Sequence, residues 1–321
     1  VPDNDWREAV LKSTGVFEEH ETDLALMKLL VLENKPEYFY RYRSGRDYDL
    51  NALKDGYEYL SYPNDYNDPF DARIFINKEA AIIPALNKYF NEKMKPEFRQ
   101  IVKYLTGHDK LDTFGGRADR QLLKKARNKF GSRASSLKKA CDDFSKECEV
   151  LANKLEEILD KDIRGLVLIC SFTTEKNNYL MWAHYSNSHK GYCLEYNFPG
   201  PAIDSGLVLP VSYRHSPVDV TNFVRKSGAG NRGVLVRAAM GSALVKGSSW
   251  KYEDEWRYVC FAERGNRELK GLKLNRVLLG CNASDELKHK VIEICRERGV
   301  EVVKQKRSPN SFDLIEGERL L

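Results

Sequence analysis

Leu168 to Asn197 reads LICSFTTEKNNYLMWAHYSNSHKGYCLEYN. Val167 to Phe172 is apolar and suits a buried strand. Thr173 to Asn178 is polar. Leu180, Met181, Trp182 and Tyr185 then crowd around His184 in one short helix or turn. Gly191 punctuates, and Tyr192 to Tyr196 reads as a returning strand. A strand, a polar corner, an aromatic turn and a second strand therefore fall within thirty residues. That layout predicts Ser171, Thr173 and His184 near one edge of a sheet, where they would wall a ligand pocket.

The whole chain sets the bounds. Its 321 residues suffice for one large or two ordinary domains. With 42% hydrophobic and 11% aromatic residues, it can bury a sizeable core. No apolar run is long enough to span a bilayer, so no membrane partner is expected. Val1 to His20 is charged and lacks the apolar centre of a signal peptide. The seven cysteines are odd in number and scattered, with no pair two residues apart. This speaks against a disulfide framework or a zinc site and for a reducing, cytoplasmic setting. The net charge of +5 permits an anionic ligand without demanding nucleic acid.

Outward from the central stretch, Thr22 to Asn34 predicts a helix, with Leu24, Met27, Leu30 and Val31 at helical spacing and Thr22 as cap. Tyr38 to Arg43, YFYRYR, predicts a strand. Alternation puts Tyr38, Tyr40 and Tyr42 on one face, and Phe39, Arg41 and Arg43 on the other. Two arginines on one face can form an anion site; a solvated sheet edge is the equal alternative. Leu50 to Gly56 reads as a short helix closed by glycine, and Tyr57 to Tyr62 as a strand. Pro63 to Asp71, PNDYNDPFD, is turn-rich. It either simply builds a loop or carries Asp68 or Asp71 into a site.

Residues 78 to 164 differ in character. Lys, Leu, Ala and Glu recur, and the stretch reads as a helical insertion in a single α+β domain spanning 1–321. Lys93 to Lys139 holds fourteen basic residues and four acids; Cys141 to Asp162 holds eight acids and three lysines. Pairing of those charges between antiparallel helices is favoured over a nucleic-acid arm, because aromatics are sparse in the basic part. A partner protein could also dock on the insertion.

Beyond the centre, Leu207 to Tyr213 predicts a strand, 216–233 a loop, and Val234 to Lys246 a helix. Trp256 to Phe261 alternates as a strand. Lys273 to Gly280 is a strand, Ser284 to Arg298 a helix stopped by Gly299, and Val300 to Lys304 a strand. Short strands at both ends of the chain with helical periodicity between them predict an α+β fold around a mixed, largely antiparallel sheet.

Three segments are familiar together: YRYRS with YLSYPNDYNDPFD, MWAHYSNSHKGYCLEY, and WKYEDEWR. The combination resembles an uncharacterised bacterial group, domain-of-unknown-function family 2971, from about Tyr38 to Arg257. A second resemblance carries chemistry. Arg43, then Ser171-Phe172-Thr173, then Glu253-Asp254-Glu255 is similar to the arginine, serine and glutamate motifs of ADP-ribosyltransferases. Phe172 departs from that pattern, which has a small polar residue there. The resemblance implies NAD as substrate. Arg41 or Arg43 would hold its phosphates, and Ser171 and Thr173 would shape the nicotinamide side. Glu255 would assist glycosidic cleavage, with Glu253 beside the acceptor. It further implies a small-molecule nucleotide partner and an acceptor that is a protein or a nucleic acid; a toxin, a phage-defence effector and a housekeeping protein stay open as biological roles.

The residues support such chemistry in their own right. A fixed carboxylate acts where positive charge develops on a ribose. Guanidinium groups match phosphate oxygens. Tyr179, Trp182 or Tyr185 could stack a flat ring. For Glu253 and Glu255, two solvated acids at a strand edge is a near-even alternative. His184 reads either as a ligand contact or, preferably, as a hydrogen-bonded core histidine, while Trp182 and Trp256 read as core. Two further function classes stand beside this one. One is a metal-dependent phosphodiesterase or nuclease using Asp68, Asp71, His184 and Glu255 around magnesium or manganese. The other is a non-catalytic nucleotide sensor or interaction module.

Overall fold

A computed structural model describes residues 5–17, 22–82, 131–198, 202–203, 206–227, 232–262, 265–269 and 271–321, with a few isolated positions between them. Most of the basic stretch from Lys93 to Lys139 lies outside the described residues, as does its expected pairing with the acidic stretch. The chain divides into two compact units. One comprises Val1–Arg73, Ile163–Val218 and Val236–Leu321; the other Ile74–Asp162 and Asp219–Leu235. No helix among the described residues is long and apolar enough to cross a membrane.

The first unit is built on a nine-stranded sheet in an α+β arrangement. Its strands lie in the order Leu314–Arg319, Glu301–Arg307, Lys273–Leu279, Tyr192–Asn197, Phe39–Arg43, Leu168–Thr173, Glu255–Cys260, Gly206–Pro210 and Ala202–Ile203. The strands are β1 (Phe39–Arg43), β4 (Leu168–Thr173), β5 (Tyr192–Asn197), β6 (Ala202–Ile203), β7 (Gly206–Pro210), β11 (Glu255–Cys260), β13 (Lys273–Leu279), β14 (Glu301–Arg307) and β15 (Leu314–Arg319). Neighbours run antiparallel except β13 and β14. The parallel pair needs a crossover, and the helix Asp285–Arg298 supplies it. Ser284 accepts the Leu287 N–H at its start, and Gly299 at φ 64° closes it.

The central strands are buried on both faces; β4 accordingly reads as a nearly continuous apolar run, whereas β11 buries Glu255 and Arg257 among its apolar residues. Tyr40 and Tyr42 pack with Met181, Trp182 and Cys193 on one face. On the other face Phe39 meets Phe198 and Trp256 edge-on, at 4.7 and 5.1 Å. Each large apolar side chain buried this way contributes roughly 1.5–3 kcal/mol. The helix α1 (Asp5–Ser13) joins this face through Trp6, which lies 5.7 Å from Trp256.

One junction in the sheet is incomplete. β1 shares five register pairs with β5, and β4 shares six with β11. Between β1 and β4 there is one, Tyr40 with Thr173. Beyond it the strands part. Ser61, just after β2 (Glu58–Leu60), pairs with Ile169 in the place β1 would have continued. The Arg41 guanidinium donates to the Ser171 carbonyl at 3.0 Å, replacing a ladder bond with a side chain. The sheet is therefore opened along its middle, beside Ser171 and Thr173.

In the second unit, Ile74 donates its N–H to Asp160 and Asn77 donates its own to Thr221, at 3.1 and 2.8 Å. Lys78 pairs with Glu156 at 3.3 Å. Most of a long helix, Ser132–Arg164, belongs to this unit.

Several expectations need correction. The expected strand from Leu207 to Tyr213 is two strands, β7 and β8 (Ser212–Arg214), broken at Val211. The Val211 N–H bonds the Glu255 carbonyl, and β8 turns away to pair with β10 (Val245–Gly247). The expected helix through Lys246 ends at Ala243, and Lys246 lies on β10. A helix, Thr221–Ser227, stands within the expected loop. Asp23, not Thr22, caps the helix Leu24–Asn34. β15 was not expected, because LIEGER lacks an apolar alternation.

Candidate functional site

A pocket of about 260 Å³ lies where β1 and β4 part. Its size is at the small end for ligand sites and suits a nucleoside-sized group. Arg41, Arg43, Ser171, Thr173, Tyr185, Glu253 and Glu255 all line it, as do Tyr40, Tyr66, Asp71 and Lys246. Arg41 and Arg43 arrive on β1, Ser171 and Thr173 on β4, and Glu255 on β11. Tyr40, Thr173 and Glu255 form one row across three adjacent strands.

The glutamates do not converge by simple strand alternation. Glu253 ends a 3-10 turn, Ser248–Glu253, and Asp254 takes the left-handed conformation at φ 41° before β11 begins. That reversal brings both carboxylates to one ammonium. Lys246 Nζ donates to Glu253 at 2.5 Å and to Glu255 at 2.8 Å. Tyr185 donates its hydroxyl to Glu253 at 2.7 Å. Arg257 donates from Nε to Glu255 and from Nη2 to both oxygens of Asp71, each at 2.8 Å. Its Nη1 serves the Ala243 carbonyl at 2.7 Å. Glu253 is 3% exposed, Glu255 4% and Arg257 0%, so these are not solvated edge acids.

The network sets the charges. Burial acts to raise the Glu255 carboxyl, but Arg257 and Lys246 outweigh it and hold it down to about 2. Glu255 is therefore an anion at neutral pH. Burial raises Glu253 above its ordinary value against the pull of Lys246. Burial likewise raises Tyr185, and Glu253 adds to it, so its hydroxyl remains a donor. Two neighbouring carboxylates with shifts of opposite sign are the pattern of an acid–base pair. Three carboxylates (Asp71, Glu253, Glu255) face two cations (Lys246, Arg257).

The arginines of β1 are committed within the protein. Arg41 Nε lies 3.0 Å from Glu58, Arg43 bonds the same carboxylate, and Tyr196 donates to it at 2.6 Å. Burial works against the charge on Arg43, but Glu58 raises its pKa further. The Arg43 Nε–H is buried without a partner and remains a free donor. Thr173 spends its hydroxyl on the Glu253 carbonyl and accepts the Glu175 N–H at 2.9 Å. It shapes the pocket rather than offering a free hydroxyl.

His184 corrects both of its expected roles. It is exposed and absent from the lining. Met181, Trp182 and Tyr185 take the inner side of the helix Tyr179–Tyr185, and His184 lies about 200° round from Trp182. Tyr179 is also exposed, and Trp182 is core, so Tyr185 alone of the three expected stacking rings reaches the pocket. The metal-site quartet does not assemble. Asp68 bonds the Phe70 N–H, His184 faces outward, and Asp71 and Glu255 are both held by Arg257. Among the described residues no group of three or more His, Cys, Asp or Glu could hold a metal ion.

Lys246, Arg257 and Glu58 were missed as site residues. Arg257 did carry a signal, since it lies two residues after Glu255 and alternation puts both on one face. Lys246 and Glu58 carried none. No protein-family model, curated protein or solved structure matches the chain. The resemblances noted above rest on their quoted motifs.

Proposed function

We propose that the pocket binds a nucleotide and that Glu255 assists cleavage of a nicotinamide glycosidic bond, making the protein an NAD-consuming ADP-ribosyltransferase or NAD glycohydrolase. One observation carries the reading: the arginine, serine and glutamate segments, far apart in sequence, occupy three adjacent strands in that order and line one pocket.

In this reading the bond between ribose C1′ and the nicotinamide nitrogen breaks, and its electron pair leaves with neutral nicotinamide. The ionised Glu255 faces the positive charge left on the ribose. Arg257 and Lys246 hold that carboxylate in place at the cost of part of its field. Water or an acceptor then forms the new bond at C1′, and its proton passes to ionised Glu253. The Arg41 and Arg43 guanidiniums line the pocket where the diphosphate would lie, and Tyr185 offers a ring edge beside the base.

The test is nicotinamide release from NAD by the intact protein, with water alone and with added protein or RNA as acceptor. Release that vanishes in Glu255→Gln, with NAD binding retained, supports the reading. A wild type that neither binds NAD nor releases nicotinamide overturns it.

A further inference from the structure

We propose that Arg7, on the N-terminal helix α1, is a positioning residue that aims Glu253 and Glu255 by holding Asp254 in its left-handed conformation. The inference rests on the catalytic reading of the two glutamates. It adds a residue more than two hundred positions away in sequence, outside the pocket lining.

Asp254 is the hinge of the carboxylate pair. At φ 41° and ψ 55° it occupies the left-handed region, which is unfavourable for most residues with a side chain and is entered more readily by aspartate. The conformation persists because its surroundings over-determine it. Arg7 Nη2 bonds one oxygen of the Asp254 carboxylate, and the Thr174 hydroxyl bonds the other. Thr174 also donates its N–H to the Asp254 carbonyl at 3.3 Å.

Arg7 is itself rigidly placed. Its Nη1 donates to the Val211 carbonyl at 2.9 Å, and its guanidinium lies 5.3 Å from the Trp6 ring and 5.9 Å from the Trp256 ring. Val211 in turn donates its N–H to the Glu255 carbonyl at 3.0 Å. One buried guanidinium thus fixes the side chain of the hinge and the strand junction beside Glu255. Without it, Asp254 can relax toward negative φ. Glu253 and Glu255 would then no longer converge on Lys246.

The experiment compares Arg7→Ala, Asp254→Ala and the double variant Arg7→Ala with Asp254→Gly. Two readouts are used: nicotinamide release, and a ligand-free NMR titration of the Glu253 and Glu255 carboxyls. Arg7→Ala should lower kcat on the order of tenfold, with KM little changed. Its Glu255 carboxyl should titrate higher than in the wild type, because the bond to Lys246 is lost while the bonds to Arg257 remain. Asp254→Ala removes both side-chain bonds and disfavours the left-handed conformation while leaving the other Arg7 contacts, so it should shift both readouts in the same direction. Glycine adopts the left-handed region freely, so the double variant should recover both.

Unchanged carboxyl titrations in folded Arg7→Ala and Asp254→Ala would overturn the proposal. So would a double variant as impaired as Arg7→Ala, since a purely structural role gains nothing from glycine at 254. A wild type that neither binds NAD nor releases nicotinamide refutes the nucleotide reading, and the ligand-free titration then decides the role of Arg7.

Discussion

Glu253 and Glu255 grip the same ammonium: Lys246 Nζ lies 2.5 Å from one carboxylate and 2.8 Å from the other. The two groups nevertheless differ. Arg257 adds a second cation to Glu255 alone, so Glu255 is the fixed anion and Glu253 the group able to exchange a proton.

Glu255→Gln should abolish most turnover. Loss of a group that stabilises transition-state charge typically costs ~10²–10³ in kcat. The amide keeps the shape of the side chain, so NAD binding should persist. Nicotinamide release and equilibrium binding measured on the same preparation check both parts.

Acid should destabilise the protein partly through Glu255. Its folded value, about 2, lies below the ordinary 4.5, so its contribution to stability is present above 4.5 and is lost as pH falls through about 2. Urea midpoints measured at several pH values between 5 and 2 should fall more steeply in the wild type than in Glu255→Gln. Equal slopes would mean that Glu255 is not held down by its two cations.

Arg43→Lys should weaken nucleotide binding although the charge is kept. Lysine concentrates its three N–H donors on one nitrogen and lacks the planar fork by which Arg43 bonds Glu58 while lining the pocket. Arg41→Lys removes the bond to the Ser171 carbonyl that bridges the parted strands. NAD affinity by calorimetry checks both, and unchanged affinity in the two variants would remove the anion-site role.

Gly191→Ala should destabilise the first unit by about 1–3 kcal/mol, the cost of overpacking. A Cβ at this position would stand 2.0 Å from the Arg43 carbonyl oxygen and 2.9 Å from the Ser44 carbonyl carbon. These are backbone atoms and cannot swing aside. The shift should appear in the denaturant midpoint with an unchanged slope.

The sequence by itself determined the local elements and the faces of single strands. Apolar continuity marked β4 and β5, alternation separated Tyr40 and Tyr42 from Arg41 and Arg43, and Ser284 and Gly299 bounded the crossover helix. These are short-range signals, because a strand repeats every two residues and a cap acts within one turn. The tertiary structure decided which charges meet. Asp71 and Arg257 are 186 residues apart and share two hydrogen bonds. Lys246 sits at the end of what reads as a helix and lies on a strand instead. The left-handed turn at Asp254 was invisible too, because aspartate enters that region more readily than most residues but does so at only a minority of its positions. A buried charge finds its partner through the packing of distant strands, and local spacing carries no record of that choice.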